Sequence, residues 1–175
     1  MKCRFSYFVL IINFICISAF AETSHFENKT LYSVCFTPGN NCTKYIVNNL
    51  NQAQQSILVQ AYNFTSAPIA KALVEAKERG VDVKVILDKS QTSKRYTIAN
   101  YLSHNHIPVW IDSKPAIAHN KVMILDGEIV STGSFNFTKA ANNKNAENII
   151  SIKDKKLAEI YTDYWLKRQK VSYYF

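Results

Sequence analysis

The stretch HNKVMILDGEIVSTGSFN, residues 119–136, predicts a β-hairpin with polar residues at its open end. Its two largely aliphatic runs, Lys121–Leu125 and Glu128–Thr132, flank the dipeptide Asp126-Gly127. An Asp-Gly dipeptide between two such runs is the strongest short-range hairpin signal, because both residues accept the positive φ angles of a tight turn. The sequence therefore predicts two antiparallel strands joined by a two-residue turn.

The register of this hairpin determines which side chains share a face. In a two-residue turn without a bulge, Leu125 faces Glu128, and pairing continued at the same register brings His119 opposite Ser134. Side chains on a strand alternate between the two faces of the sheet. Four polar residues are therefore expected together on one face: His119, Lys121, Ser134 and Asn136.

These residue types suit an attack on a phosphodiester. A neutral His119 can attack phosphorus and hold it covalently until water arrives. Lys121 offers a cation to the non-bridging oxygens, and Ser134 and Asn136 donate hydrogen bonds that stabilise charge in the transition state. Glu147, which begins the next predicted strand, can bind the other imidazole nitrogen and so fix its tautomer and orientation.

The same residues resemble the signature of the phospholipase D superfamily. Residues 119–126 fit the pattern H-x-K-x-x-x-x-D, and residues 133–136 follow as G-S-x-N. Glu147 stands where the small bacterial members carry a carboxylate that orients the histidine. The resemblance extends from about Ser33 to Trp165, and it is strongest to the short, single-motif subgroup of plasmid-type endonucleases and small bacterial phospholipases D.

The resemblance implies a phospholipase D-like fold in a single domain and a mechanism without metal or cofactor. Members of the family form a phosphohistidine at a site where two motifs meet, with one histidine as nucleophile and the other as acid and then base. Because this sequence has one motif, the resemblance implies a homodimer whose two His119 residues share one active site. It also implies that Asp126 supports the site through hydrogen bonds without reacting.

Outside the hairpin, apolar spacing predicts alternating helices and strands. The predicted helices are Lys44–Gln55, a helix from Thr65 or Ser66 to Gly80, Tyr96–Ser103 and Asp154–Lys167. The predicted strands are Ile57–Tyr62, Val81–Leu87, Ile107–Ile111 and Asn148–Ile152. The first two of these strands and the helix between them predict a β-α-β unit with parallel strands. The chain is therefore expected to form an α/β fold with a mixed sheet between helices.

The N-terminal residues 1–21 are typical of an export signal. Lys2 and Arg4 precede the apolar run Phe5–Phe20, and residues 19–21 read Ala-Phe-Ala, as a signal peptidase requires. An uncleaved N-terminal anchor is the alternative. Cleavage leaves a catalytic domain of residues 22–175, exported to the periplasm or secreted. Of the cysteines that remain, Cys35 and Cys42 flank a predicted turn and are expected to form a disulfide.

The net charge favours a negatively charged substrate. The chain has 21 Lys and Arg against 13 Asp and Glu, a formal net charge of +8. Such a field attracts polyanions or anionic surfaces, although a charge that serves only solubility is the alternative. Nucleic acid is the favoured substrate, with hydrolysis of phospholipid head groups at a membrane surface as the close alternative. A non-catalytic binding module is a third hypothesis, which the intact His119, Lys121 and Glu147 oppose.

Overall fold

The computed structural model describes residues 25–26, 29–92 and 97–175, which form one domain around an eight-stranded mixed sheet. The strands are β1 (Leu31–Thr37), β2 (Ser56–Ala61), β3 (Asp82–Asp88), β4 (Val109–Asp112), β5 (Lys121–Leu125), β6 (Ile129–Gly133), β7 (Glu147–Lys153) and β8 (Tyr173–Tyr174). The helices are α1 (Cys42–Gln52), α2 (Ala67–Glu78), α3 (Ile98–His104), α4 (Lys139–Asn143) and α5 (Lys155–Val171). None of the helices in this part of the chain is long and apolar enough to cross a membrane. The predicted export signal, residues 1–21, lies outside the described residues.

The strand order is β1-β7-β6-β5-β2-β3-β4-β8. Strands β2, β3 and β4 are parallel, which confirms the predicted β-α-β unit, and all other neighbours are antiparallel. The N-cap Ser66 and the proline in the first turn of α2 begin that helix where the sequence predicted it. The elements β1, α4 and β8 were not predicted.

Helices cover both faces of the sheet, so the predicted mixed sheet between helices is confirmed. The larger core lies between the sheet and α1 to α4, where Phe135 and Phe137 are fully buried. The smaller core lies under α5 and is centred on Trp165, whose indole N–H donates to the carbonyl of Val59 at 2.9 Å. Packing in these two cores fixes the position of the strand ends that carry the polar residues of the hairpin.

The hairpin turn forms as predicted, but the predicted register is wrong by one residue. Asp126 and Gly127 have φ angles of 54° and 63°, and the amide of Glu128 donates to the carbonyl of Leu125 at 3.0 Å. The strands nevertheless pair Leu125 with Ile129, so Glu128 is an extra residue in the second strand. Its carbonyl accepts a hydrogen bond from the amide of Asp154, which fixes it outside the ladder.

The edge strand β1 is linked to α1 through Cys35 and Cys42. The two cysteines form a disulfide in the structure, with their Cα atoms 5.6 Å apart. Next to it, the Oγ atom of Ser33 lies 2.6 Å from the hydroxyl of Tyr45 on α1. This side of β1 is therefore fastened to the helical layer, while the opposite side of the strand faces outward.

Candidate active site

The predicted polar residues gather where β5 begins and β2 and β6 end. A cavity of about 390 Å³ opens there, and five of the six predicted site residues line it: His119, Lys121, Ser134, Asn136 and Glu147. Asn120, Thr132, Gly133 and Tyr161 complete most of its wall. A larger cavity of about 1180 Å³ beside α2 and α3 contains none of the predicted residues. The chemistry of the side chains, and not the volume, therefore identifies the site.

His119 and Lys121 are in direct contact. The ammonium of Lys121 lies 3.0 Å from Nδ1 and 3.1 Å from Nε2 of His119, and it donates to the carbonyl oxygen of His119 at 2.7 Å. A neutral imidazole has one acceptor nitrogen, so the two ring distances describe one ammonium beside the ring and not two bonds. The neutral form of the imidazole is the one that a nucleophile requires.

Lys121 is the most buried charged residue that lines the cavity, at 7% exposure. This burial lowers the pKa of the Lys121 ammonium, and the negative charge of Glu147 acts in the opposite direction. Removal from water disfavours the charged form of a lysine, and a negative charge nearby favours it. A cation held in such surroundings interacts strongly with any anion that enters the cavity.

Gly133 allows two neighbouring strands to approach closely. A Cβ atom at this position would lie 2.3 Å from the carbonyl oxygen of Asn148, a distance that no side chain tolerates. Directly after it, the Oγ atom of Ser134 accepts a hydrogen bond from the amide of Asn148 at 3.1 Å. The Gly-Ser pair therefore fixes the end of β6 against β7, and the exposed hydroxyl of Ser134 remains able to donate to a bound group.

Asn136 presents an unsatisfied polar atom. Its Oδ1 is buried and has no hydrogen-bond partner within the described residues. Phe135 and Phe137, on either side, are fully buried and hold the backbone of Asn136 in place. An unpaired buried acceptor costs roughly 1–3 kcal/mol, so the carboxamide is poised to gain from a group that binds in the cavity.

Glu147 lines the cavity but forms no hydrogen bond to His119 of its own chain in the described structure. Its carboxylate accepts from the side-chain amide of Asn145 at 2.9 Å. Its backbone amide donates to Oγ1 of Thr37, which ties the start of β7 to β1. The structure thus places Glu147 in the site, and its role in orienting the imidazole stays a prediction.

Asp126 is the one predicted site residue that the structure does not bring to the cavity. The full length of β5 separates it from Lys121, and its carboxylate accepts hydrogen bonds from three backbone amides, those of Gln54, Gln55 and Ser56. These amides connect the end of α1 to the start of β2. The contacts of this carboxylate are structural and lie at the opposite end of the hairpin, so the expected support of the site by Asp126 stays a prediction.

Two residues that contact the site were not found from the sequence. Tyr62 follows β2, and its ring centroid lies 4.6 Å from that of His119. Asp88 ends β3 with 2% exposure, and its Oδ2 accepts from the amide of Ala118, directly before His119, at 2.7 Å. The available signal was their position, because both stand at the carboxyl ends of parallel strands, where open α/β sheets bind ligands.

The pKa of Asp88 is lowered in spite of its burial. Burial alone raises the pKa of this carboxyl group, but hydrogen bonds from Ser90 and Ala118 and the charge of Lys89 outweigh that effect. The neighbouring Lys89 also donates to the carbonyl of Pro115 at 3.2 Å. Two consecutive residues at the end of β3 thus hold the connection that leads into His119.

Metal-binding clusters are absent from the described residues. No group of three or more His, Cys, Asp or Glu side chains in residues 25–26, 29–92 and 97–175 could hold a metal ion. The two histidines of the His104-Asn105-His106 segment belong to no such group. This segment ends α3 and leads toward β4.

Comparison with known proteins identifies the family of this chain. The family model described as "Cardiolipin synthase, PLD-like domain" matches residues 46–168. A protein named phospholipase D from Rickettsia felis is 44% identical over 168 residues, which cover 93% of this chain and 84% of the relative. The chain belongs to the phospholipase D superfamily. It is a phosphodiesterase of that superfamily, as the sequence resemblance predicted.

Solved structures of the phospholipase D superfamily share the fold. The family member Nuc from Salmonella typhimurium has a TM-score of 0.80 and 39% identity, with 84% of this chain and 99% of Nuc covered. NucT from Helicobacter pylori has a TM-score of 0.77 and covers 84% of this chain, and at 23% identity it supports the fold alone. The eight-stranded sheet is therefore that of a complete phospholipase D-like domain.

Proposed function

We propose that this chain hydrolyses phosphodiesters without a metal, through a phosphohistidine at His119. The observation that carries the proposal is the contact between His119 and the buried Lys121 in a polar cavity. A ring nitrogen of His119 attacks phosphorus, the new N–P bond forms, and the P–O bond to the leaving group breaks. The leaving oxygen takes a proton from a second imidazole. That imidazole then removes a proton from water, which attacks phosphorus and releases His119 and a phosphomonoester.

Three side chains in the cavity are suited to the non-bridging oxygens. Lys121 carries the positive charge, and the hydroxyl of Ser134 and the carboxamide of Asn136 are able to donate hydrogen bonds. Donors that are fixed before the substrate binds stabilise the charge that develops at phosphorus, because they need no rearrangement during the reaction.

The second imidazole is proposed to come from a second copy of the chain. The outward face of β1 supports this, because Tyr32 and Phe36 are 71% and 58% exposed and Val34 lies between them. Phe36 pairs with Asn148, which contacts Ser134, so this apolar strip reaches the cavity. A symmetric dimer that buries the apolar strip of β1 can bring the two cavities together. In such a dimer, Glu147 of the second copy would also line the shared site.

Nucleic acid is the proposed substrate. The excess of Lys and Arg over Asp and Glu, which remains when Lys2 and Arg4 are removed with residues 1–21, and the small, open, polar cavity support a phosphate backbone that passes over the site. Each phosphate that a cation neutralises releases counterions, so binding to nucleic acid is expected to weaken steeply with salt.

A phospholipid is the second candidate substrate. The relatives named phospholipase D in five Rickettsia species, at 44–48% identity, favour it. Anionic membranes attract Lys and Arg, so the excess of these residues also suits this substrate.

One assay separates these substrates. The purified protein is offered plasmid DNA, RNA and phosphatidylcholine vesicles side by side, each with and without EDTA. Cleavage of DNA or RNA supports the nuclease, and release of choline from the vesicles supports the phospholipase. Inhibition by EDTA that added metal reverses would contradict the metal-free mechanism.

The proposed place of action is outside the cytoplasm. The leader-like residues 1–21 support export, and the Cys35–Cys42 pair suits an oxidising compartment. Mass spectrometry of the protein recovered after expression tests both proposals. It is expected to find an N-terminus at Glu22 and no free thiol on either cysteine, whereas an intact Met1 would leave the anchor as the better interpretation.

A further inference from the structure

Tyr62 is held against the segment that carries the reactive residues. Its backbone amide donates to the carbonyl of Asn120 at 2.8 Å, and the preceding residue, Ala61, pairs with Lys121. The backbone of Tyr62 thus has a fixed position relative to His119 and Lys121. Its side chain is partly buried at the end of β2.

The ring of Tyr62 contacts both reactive side chains. Its centroid lies 4.6 Å from that of the His119 imidazole, at an interplanar angle of 49°, and the Lys121 ammonium lies 5.2 Å from it. The face of an aromatic ring carries partial negative charge and attracts a cation within about 6 Å. One ring therefore restricts the imidazole and offers a favourable contact to the ammonium.

The charge on Lys121 depends on the groups around it. The ammonium faces His119 within its own segment, Glu147 from β7 and the ring of Tyr62 from β2, and Tyr161 of α5 lines the same cavity. Burial disfavours the charged form, and Glu147 favours it. A ring face at 5.2 Å adds a second favourable contact that does not neutralise the ammonium, so the charge stays available to phosphate.

We propose that Tyr62 is a positioning residue for the reaction, whose ring holds His119 and Lys121 in one geometry and keeps Lys121 charged. The proposal rests on the phosphodiesterase function above. The π face carries the effect, and the hydroxyl does not contribute. In a preorganised site of this kind, loss of the ring lowers the turnover more than the binding of the substrate.

The test compares variants that keep or remove the ring face, with bis(p-nitrophenyl) phosphate as the substrate. Tyr62→Phe is expected to stay within about twofold of the parent protein, and Tyr62→Leu to lose about tenfold in kcat with little change in KM. The basic limb of the pH–rate profile of Tyr62→Leu is expected to move to lower pH. Tyr101→Leu, an exposed tyrosine on α3, is the matched control and is expected to behave as the parent.

A second variant covers the case in which Tyr62→Leu does not fold. Pentafluorophenylalanine at position 62 keeps the shape of the ring but withdraws negative charge from its face, so it is expected to behave as the leucine variant. Equal loss in Tyr62→Phe and Tyr62→Leu would assign the effect to the hydroxyl and overturn the proposal. Full activity of the pentafluorinated protein would overturn it as well.

A measurement without turnover separates this inference from the proposed function. The Lys121 ammonium is titrated by NMR in lysine-labelled protein, with Lys121→Arg used to assign its signal. Tyr62→Leu is expected to lower the pKa of Lys121 relative to the parent and to Tyr62→Phe. An unchanged titration would refute the role of Tyr62, whereas an inactive parent protein with the expected titration would refute only the phosphodiesterase mechanism.

Discussion

His119 and Lys121 lie in contact at the open end of the hairpin, and this contact separates catalysis from simple binding of an anion. A binding module needs the ammonium of Lys121 but has no use for a nucleophile beside it. His119→Asn keeps a polar side chain of similar size and removes the attacking nitrogen. Turnover is expected to fall by about 10²-fold or more, with binding of a fluorescent oligonucleotide retained. Unchanged turnover would remove His119 from the mechanism.

The acid sensitivity of the fold depends in part on Asp88. Its folded-state pKa lies below the ordinary value of 3.8, so its ionised form stabilises the fold above that pH. This contribution is lost as the pH falls below 3.8 and through the folded-state pKa. Urea unfolding of the parent and of Asp88→Asn is therefore expected to show a stability difference that is constant above about pH 5 and shrinks below about pH 4.

A matched control for Asp88 is Asp82→Asn, since the carboxylate of Asp82 pairs with Lys84 at the surface. This control is expected to show little difference from the parent at any pH. A stability gap between the parent and Asp88→Asn that persisted unchanged to pH 2 would contradict the assignment. Because Asp88 binds the amide before His119, its variant is also expected to lose activity at neutral pH.

Among the elements, the periodic segments could be predicted from the sequence, and the two edge strands could not. The hairpin, the β-α-β unit and α5 follow from apolar spacing and from the turn residues. Strands β1 and β8 exist because they pair with β7 and β4, which the spacing of their own residues does not reveal. The register error has the same origin, since Glu128 is held outside the ladder by the amide of Asp154 and by ion pairs with Lys153 and Lys155.

The site was predictable to the extent that the motif itself carries it. Five of the six predicted site residues line one cavity although the predicted register of the hairpin was wrong. The four residues that the register grouped, His119, Lys121, Ser134 and Asn136, line this cavity together with Glu147. Tyr62 and Asp88 belong to β2 and β3, and they reach the motif only because β2 pairs with β5 and β3 lies next to β2. Sheet order is a property of the whole fold, so a local pattern could not reveal them.

The connection between α1 and β2 offers a test of what Asp126 does. Its carboxylate satisfies three backbone amides, and without the carboxylate these amides lose charged hydrogen bonds and must bind water instead. Asp126→Ala is expected to lower the free energy of unfolding by about 1–3 kcal/mol, with kcat per folded molecule unchanged at 25 °C. Asp82→Ala, which removes an exposed carboxylate, is the control and is expected to cost less than about 0.5 kcal/mol. A large loss of kcat in folded Asp126→Ala would restore this residue to the catalytic set.

For the whole molecule, the shared site makes a quantitative prediction about mixed dimers. If each reaction needs two His119 residues, a dimer of one parent chain and one His119→Asn chain is inactive. After subunit exchange, activity then follows the square of the fraction of parent chains. An equal mixture is expected to retain about a quarter of the activity of undiluted parent protein, whereas independent subunits would retain about half.

The apolar strip of β1 provides the structural control for the mixing experiment. Phe36→Ser removes an exposed aromatic residue that the proposed dimer buries, so light scattering is expected to show a shift toward single chains and the activity to fall with it. The same mixtures assayed before exchange should follow the linear relation, since pure parent dimers persist. The contrary outcome is an activity that stays proportional to the fraction of parent chains after mixing, in a protein that light scattering shows to be a single chain. It would mean that one copy of His119 carries out both proton transfer and attack. That outcome would remove the second imidazole, and with it the proton transfers to the leaving oxygen and from water, from the proposed mechanism.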